Sequence, residues 1–287
     1  MSWIYVTEAG ARLGLREGRY VISREHEVLA EVPSEIVEGV TVIDAVQVSS
    51  RAIVDFLERD IPVTWLSTTG KFFGRLESTS AQDMSRVKEQ FARAEDAAFC
   101  LDLARLTVFR KIYNQRAILR SYNRRAGNSL VQQTYDQIRI LADKLHTAKT
   151  VDEVMGYEGA VARLYFRALS EFLPEEFRFE KRTRQPPTDP FNSMLSFGYT
   201  LLMYDFYSAI ERTRLSPYIG YLHVLKDGHP ALASDLMEPW RAAIVDAFCL
   251  ALVTHHEIDA SCFAKSEANG GTYLTRVGRR IFIQAYE

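Results

Sequence analysis

Apolar positions in the first part of the chain come in short runs with the two-residue rhythm of strands. Trp3-Ile4-Tyr5-Val6, Tyr20-Val21-Ile22-Ser23, Val28-Leu29-Ala30-Glu31-Val32 and Val40-Thr41-Val42-Ile43 are rich in β-branched and aromatic side chains, which suit a pleated, half-buried surface. Pro33, Gly39 and the Glu17-Gly18 pair punctuate them. A helix is predicted after Ser49-Ser50, with Ile53, Phe56 and Leu57 on one face. Pro62–Leu66 and Phe72–Leu76 give two further strands around Gly70. Residues 1–80 therefore read as a small β-rich domain with one helix against it.

Residues 81–89 turn polar and read as a linker. From 90 to 287 the apolar period becomes helical. Phe91, Ala94, Ala98 and Leu101 recur at helical spacing, as do Leu130, Tyr135, Ile138, Leu141 and Leu145. Gly127-Asn128-Ser129 ends one helix and caps the next. Residues 174–192 hold four of the nine prolines and read as a long ordered loop. The expected fold class is α+β: a β-rich N-terminal domain, then a larger all-α domain.

Composition narrows the function class. With 47% apolar and 25% charged residues, the 287-residue chain is typical of globular proteins with a substantial core. No apolar run reaches the roughly 18 residues of a membrane span, and Met1–Tyr5 lacks the basic and apolar segments of a secretory signal. Cys100, Cys249 and Cys262 are odd in number and have no metal-ligand spacing, so a reduced, cytoplasmic setting is expected.

A net charge of −2 argues against indiscriminate coating of nucleic acid but permits a local basic surface. Between Leu103 and Tyr135 there is no acidic residue, while Arg105, Arg110, Lys111, Arg116, Arg120, Arg124 and Arg125 all fall there. Arg116, Arg120 and Arg124 stand four apart and share one side of a helix. Such a stripe suits DNA phosphates; a solvated face paired with acids from other segments is the competing reading. A second cluster, Arg178, Lys181, Arg182 and Arg184, leads into Gln185-Pro186-Pro187. Arginine suits phosphate because its planar fork donates two hydrogen bonds at once.

Glu158, His223 and Glu238 are candidates for a hard divalent cation. Glu158 follows Gly156-Tyr157 at the start of a helix-like run, and His223 closes the apolar stretch Tyr218–Leu222. Asp235 and Glu238, three apart on a helical segment, can point at one site. Two carboxylates and an imidazole suit Mn2+, or Mg2+ with more water, better than a thiolate-held structural zinc.

Four segments in order resemble one family. They are Gly156–Phe166, Arg182–Tyr199, Pro217–His223 and Ala233–Arg241, the last followed by Asp246. The chain resembles the CRISPR-associated integrase, the larger and catalytic of the two proteins that install new spacers. This resemblance implies metal ligands at Glu158, His223 and Glu238, with Asp235 beside the metal. It implies Mg2+ or Mn2+, and a reaction in which a 3′-hydroxyl of captured DNA attacks a phosphodiester at a repeat border. Arg182 and Arg184 become candidates to hold phosphates, and Asn192 to touch the backbone or orient its loop. The implied partners are double-stranded and branched DNA, a second copy joined through the β-rich domain, and a small second adaptation protein, with no membrane. A non-catalytic DNA-binding scaffold is the alternative from another class.

Overall fold

The computed structural model describes residues 2–25, 27–78 and 83–287. The chain divides into two compact units, Met1–Gln82 and Asp83–Glu287.

The first unit carries strands β1 (Ser2–Val6), β2 (Arg12–Arg16), β3 (Arg19–Arg24), β4 (Glu27–Pro33), β5 (Val37–Ile43), β6 (Gln47–Val48), β7 (Val63–Leu66) and β8 (Phe72–Leu76). They form two four-stranded sheets, ordered β1-β5-β7-β8 and β4-β3-β2-β6. In the first, β1 and β7 flank β5 in parallel and β8 returns antiparallel. Inward positions Ile4, Val6, Leu13, Tyr20, Val40, Val42 and Val63 form one core with Phe56 of helix α1 (Ser50–Glu58). Ser49 caps α1, accepting from the Ala52 N–H. Gly39 is required by packing, because the Trp3 ring fills the space its Cβ would take. Strands β2 and β6 were not predicted: Arg12, Gly14 and Arg16 mask the Leu13/Leu15 alternation, and β6 has two residues.

The second unit contains α2 (Met84–Ala94), α3 (Ala97–Ala126), α4 (Ser129–Lys144), α5 (Val151–Ser170), α6 (Pro190–Arg212), α7 (Ala231–Trp240), α8 (Ala247–Thr254) and α9 (Arg276–Tyr286). Residues 81–82 of the expected linker lie outside the described residues. Its remainder differs from expectation: Asp83 caps α2 through the N–H groups of Ser85 and Arg86, so polar composition here marks an exposed helix face. Asp96 starts α3 in the same way, and Gly127 ends it in the left-handed region at φ 62°. Asn128 then caps α4, as the sequence predicts. The helical unit also holds a hairpin, β9 (Phe263–Lys265) with β10 (Thr272–Leu274), whose three-residue strands are too short to show a period.

Three features position the site. Helix α3 runs 30 residues and packs against α4, α5 and α7. Helix α6 starts at Asp189, whose side chain accepts from the Asn192 N–H, with Pro190 at its first turn. Near the end of α7, Pro239 withholds one helical N–H, and Arg241–Asp246 then continues as a wider π turn into α8.

Candidate active site

Glu158 does not open its helix. It sits mid-way along α5, which begins at Val151 after the Thr150 cap. From there it reaches α3 and ion-pairs with Lys111. Lys111 also lies 2.6 Å from Glu238 Oε2, while Arg241 Nη2 lies 3.1 Å from Glu238 Oε1. Two carboxylates, from α5 and α7, thus bracket one ammonium nitrogen. Glu238 is only 6% exposed. Burial alone would raise its pKa, but Arg241 and then Lys111 outweigh that and hold it down at about 2. This buried carboxylate is therefore ionised at neutral pH beside its two cations.

His223 comes from the loop between α6 and α7, and Asp235 holds it. Asp235 Oδ1 is 2.7 Å from His223 Nδ1 and accepts the His223 N–H at 3.0 Å. Its Oδ2 accepts the N–H groups of Tyr221 (2.6 Å) and Leu222 (2.9 Å). Gly220 lets this loop come so close: a Cβ there would meet Asp235 Oδ2 at 2.7 Å. Gln90 pins the same loop from α2, donating to the carbonyls of Ser216 and Ile219 and accepting the Ser216 N–H. Engagement of Nδ1 by a carboxylate is how proteins orient a metal-ligating imidazole, leaving Nε2 as the ligand. His223 contributes to the electrostatic lowering of the Glu238 pKa.

Asp235 and Glu238, expected to point at one site, divide the work: one clamps the histidine loop and the other meets the cations. Among the described residues, no three His, Cys, Asp or Glu side chains stand in metal-holding geometry, and what gathers Glu158 and Glu238 is Lys111. The donor set still fits a hard cation in kind, since two carboxylates already share a cationic partner and a carboxylate-oriented imidazole is near enough to Glu238 to act on it electrostatically.

A second buried network adjoins the first. Asp246, at the end of the π turn, accepts from Tyr165 (2.9 Å) and Tyr199 (2.5 Å). Burial raises the Asp246 pKa to about 6, against the lowering by the two phenols. The Tyr199 ring is met by Arg241 at 4.9 Å and Arg182 at 5.4 Å. Arg182 donates to Asn192 Oδ1 (2.9 Å) and Ser196 Oγ (3.0 Å). Asn192 is 0% exposed, and its amide also serves the Lys181 carbonyl and the Thr183 N–H. Of the two roles expected of Asn192, this burial fits the orienting one and leaves no surface for DNA: it fixes the 181–189 loop. Arg182 likewise organises this loop, whereas Arg184 is exposed. Tyr165 is wholly buried.

The arginine stripe is split. Arg120 and Arg124 are exposed on α3, but the Arg116 guanidinium lies 4.5 Å over the Tyr135 ring of α4 and is half-buried. Lys111 is the residue the sequence reading misplaced, counting it with the surface cations. Its position on the inward stripe Ala104, Val108, Lys111, Gln115, Ile118 was the available signal.

Residues 4–287 match the family model described as CRISPR associated protein Cas1. A CRISPR-associated endonuclease Cas1 of Mycobacterium tuberculosis is 35% identical over 100% of this chain and 84% of its own. A solved Cas1 protein from Thermotoga maritima superposes with a TM-score of 0.86 at 25% identity, covering 99% of this chain and 88% of that one. A chain of a Cas6-RT-Cas1–Cas2 complex gives the same TM-score at 27% identity, over 99% of this chain and 32% of its own length.

Proposed function

Because this chain belongs to the family of CRISPR-associated Cas1 proteins, we propose that it is a divalent-metal-dependent DNA endonuclease and integrase that joins captured DNA into a CRISPR repeat array. The supporting observation is the meeting of Glu158 and Glu238 at one cation, with His223 held by Asp235 and acting electrostatically on Glu238. Glu158, Glu238 and His223 Nε2 would hold Mg2+ or Mn2+. When bound, such an ion polarises the phosphoryl oxygen and lowers the pKa of the attacking hydroxyl.

The protein's own side chains do the rest. Asp235 fixes the imidazole, and Arg241 keeps Glu238 ionised at neutral pH. Arg182 and Asn192 shape the loop that presents Arg184 to a DNA phosphate. Arg120 and Arg124 give the duplex a second line of phosphate contacts. In the reaction a 3′-oxygen forms a new bond to phosphorus, the existing ester bond breaks, and the leaving 3′-oxygen takes a proton.

The relative in the Cas6-RT-Cas1–Cas2 complex is assembled with Cas2, and we extend a small second adaptation protein to this chain. Strand β4 supports self-association of the β unit: it is a sheet edge, with Val28 and Leu29 exposed. Three free, buried cysteines suit the cytoplasm.

The test is strand transfer of labelled 3′-hydroxyl DNA into a repeat-bearing plasmid with Mn2+. His223→Ala is expected to abolish transfer while DNA affinity stays within about twofold, as for a residue acting on the chemistry rather than on binding. Transfer surviving in that variant would remove the site assignment. Wild-type binding without transfer under any divalent ion would favour a scaffold.

A further inference from the structure

Lys111 is 7% exposed and sits on the inward face of α3 with both carboxylates of the proposed metal site around its nitrogen. Its location calls for a reason. Burying an ammonium costs several kcal/mol unless it is well paired, and an ordinary core position at the α3–α7 contact would take an apolar residue. Without Lys111, Glu158 and Glu238 would face each other across a partly desolvated gap, and like charges in that position repel. Arg241 does not neutralise both, because its ion pair among the described residues is with Glu238, at Oε1. We propose that Lys111 is the counter-cation of the proposed metal site: it holds Glu158 and Glu238 together, and an arriving divalent ion must displace it.

Displacement follows from where the charges lie. Glu238 faces Arg241 with one carboxylate oxygen and Lys111 with the other. A divalent ion shared by Glu238 and Glu158 would enter the gap that the Lys111 ammonium occupies, and like charges so close repel. Arg241 is fixed by its stack on Tyr199, and its planar fork has little freedom to withdraw. Lys111 carries a point charge on a flexible four-carbon stem, so it is the cation that yields. It is therefore a positioning residue whose effect is on metal affinity: it keeps the two carboxylates together and sets a threshold for metal binding.

This inference rests on the metal site proposed above, and the experiment separates the two. Mn2+ binding is measured by calorimetry on the whole protein, and thermal midpoints are recorded in EDTA and in saturating Mn2+. Lys111→Met is expected to lower the midpoint in EDTA and to gain more from Mn2+ than wild type gains. Its Mn2+ affinity is expected to rise by about tenfold or more, within the usual range for coupling between two ligands. Lys111→Gln, which keeps an amide between the carboxylates, is expected to fall between Lys111→Met and wild type. If both variants are unfolded in EDTA yet fold on adding Mn2+, the inference is supported. If they stay unfolded with Mn2+, Lys111 is a structural ion pair and the inference falls. Wild-type binding with no gain in either variant overturns the inference alone. No saturable Mn2+ binding by wild type overturns the metal site, and this reading with it.

Discussion

Single carboxylates in this protein do different work according to what surrounds them, and the differences can be measured. Asp235 accepts three backbone N–H groups and engages the His223 ring. Asp235→Ala leaves those donors without their acceptor and frees the imidazole to rotate. Loss of an outer partner of this kind typically costs 10–100-fold in metal affinity. A Mn2+ titration of the variant is expected to fall in about that range, with a lower thermal midpoint; unchanged affinity would mean His223 is held by something else. Asp246 shows the opposite electrostatics. Burial raises its folded-state pKa from 3.8 to about 6. Between those pH values the native state binds more protons than the unfolded chain, so this group's stabilising effect is complete below about pH 4 and is lost as pH rises through 6. A shift of that size corresponds to about 3 kcal/mol. Urea midpoints across pH 4–7 should therefore fall more steeply for wild type than for Asp246→Asn, and parallel profiles would discharge Asp246 as the source.

At the scale of elements, the site depends on how closely α6 meets the π turn. A Cβ on Gly198 would lie 2.7 Å from Val245 Cγ1 and 3.2 Å from the Phe282 ring. Val245 sits inside the turn that carries Arg241 at one end and Asp246 at the other. Gly198→Ala must push that turn outward. Over-packing of this kind costs about 1–3 kcal/mol, and urea denaturation is expected to read a loss in that range together with weaker Mn2+ binding. A neutral result would show that the turn yields without consequence. These elements also mark how far the sequence could be read. Caps with a local mechanism were legible: Ser49, Gly127 and Asn128 act where their chemistry requires. Strand β2 was not, because Gly14 and two arginines dilute its alternation. Glu158, Glu238 and His223 were singled out as proposed ligands through family motifs, and Asp235 was recognisable as a neighbour, which its contact with His223 bears out. Lys111 was not, because a lysine within a basic run looks like surface, and only its partners on α5 and α7 reveal the inward face. The π turn was equally hidden. Pro239 signals a break, but whether a helix stops or widens there depends on the packing of α3 and α6 around it.

For the whole molecule, DNA binding must arise from local charge, since the net charge is −2. The exposed cations Arg120, Arg124 and Arg184 are the ones free of the packing that occupies Arg116 and Arg182. This division makes a prediction that distinguishes charge from structure. Each phosphate-contacting arginine removed should lower the slope of log affinity against log salt by about one and weaken binding across all sequences. Arg120→Ala and Arg124→Ala are expected to do that without moving the thermal midpoint. Arg116→Ala should instead lower the midpoint, because it removes a cation–π contact worth about 0.5–2 kcal/mol that ties α3 to α4; its salt slope should stay close to wild type. The comparison is read from fluorescence anisotropy on one labelled duplex at several salt concentrations, beside thermal melts of the same preparations. A salt slope that falls for Arg116→Ala but not for Arg120→Ala or Arg124→Ala would invert the assignment. It would mean that α4 moves away when DNA arrives, exposing the packed arginine, and that the duplex lies over the α3–α4 seam rather than along the exposed stripe.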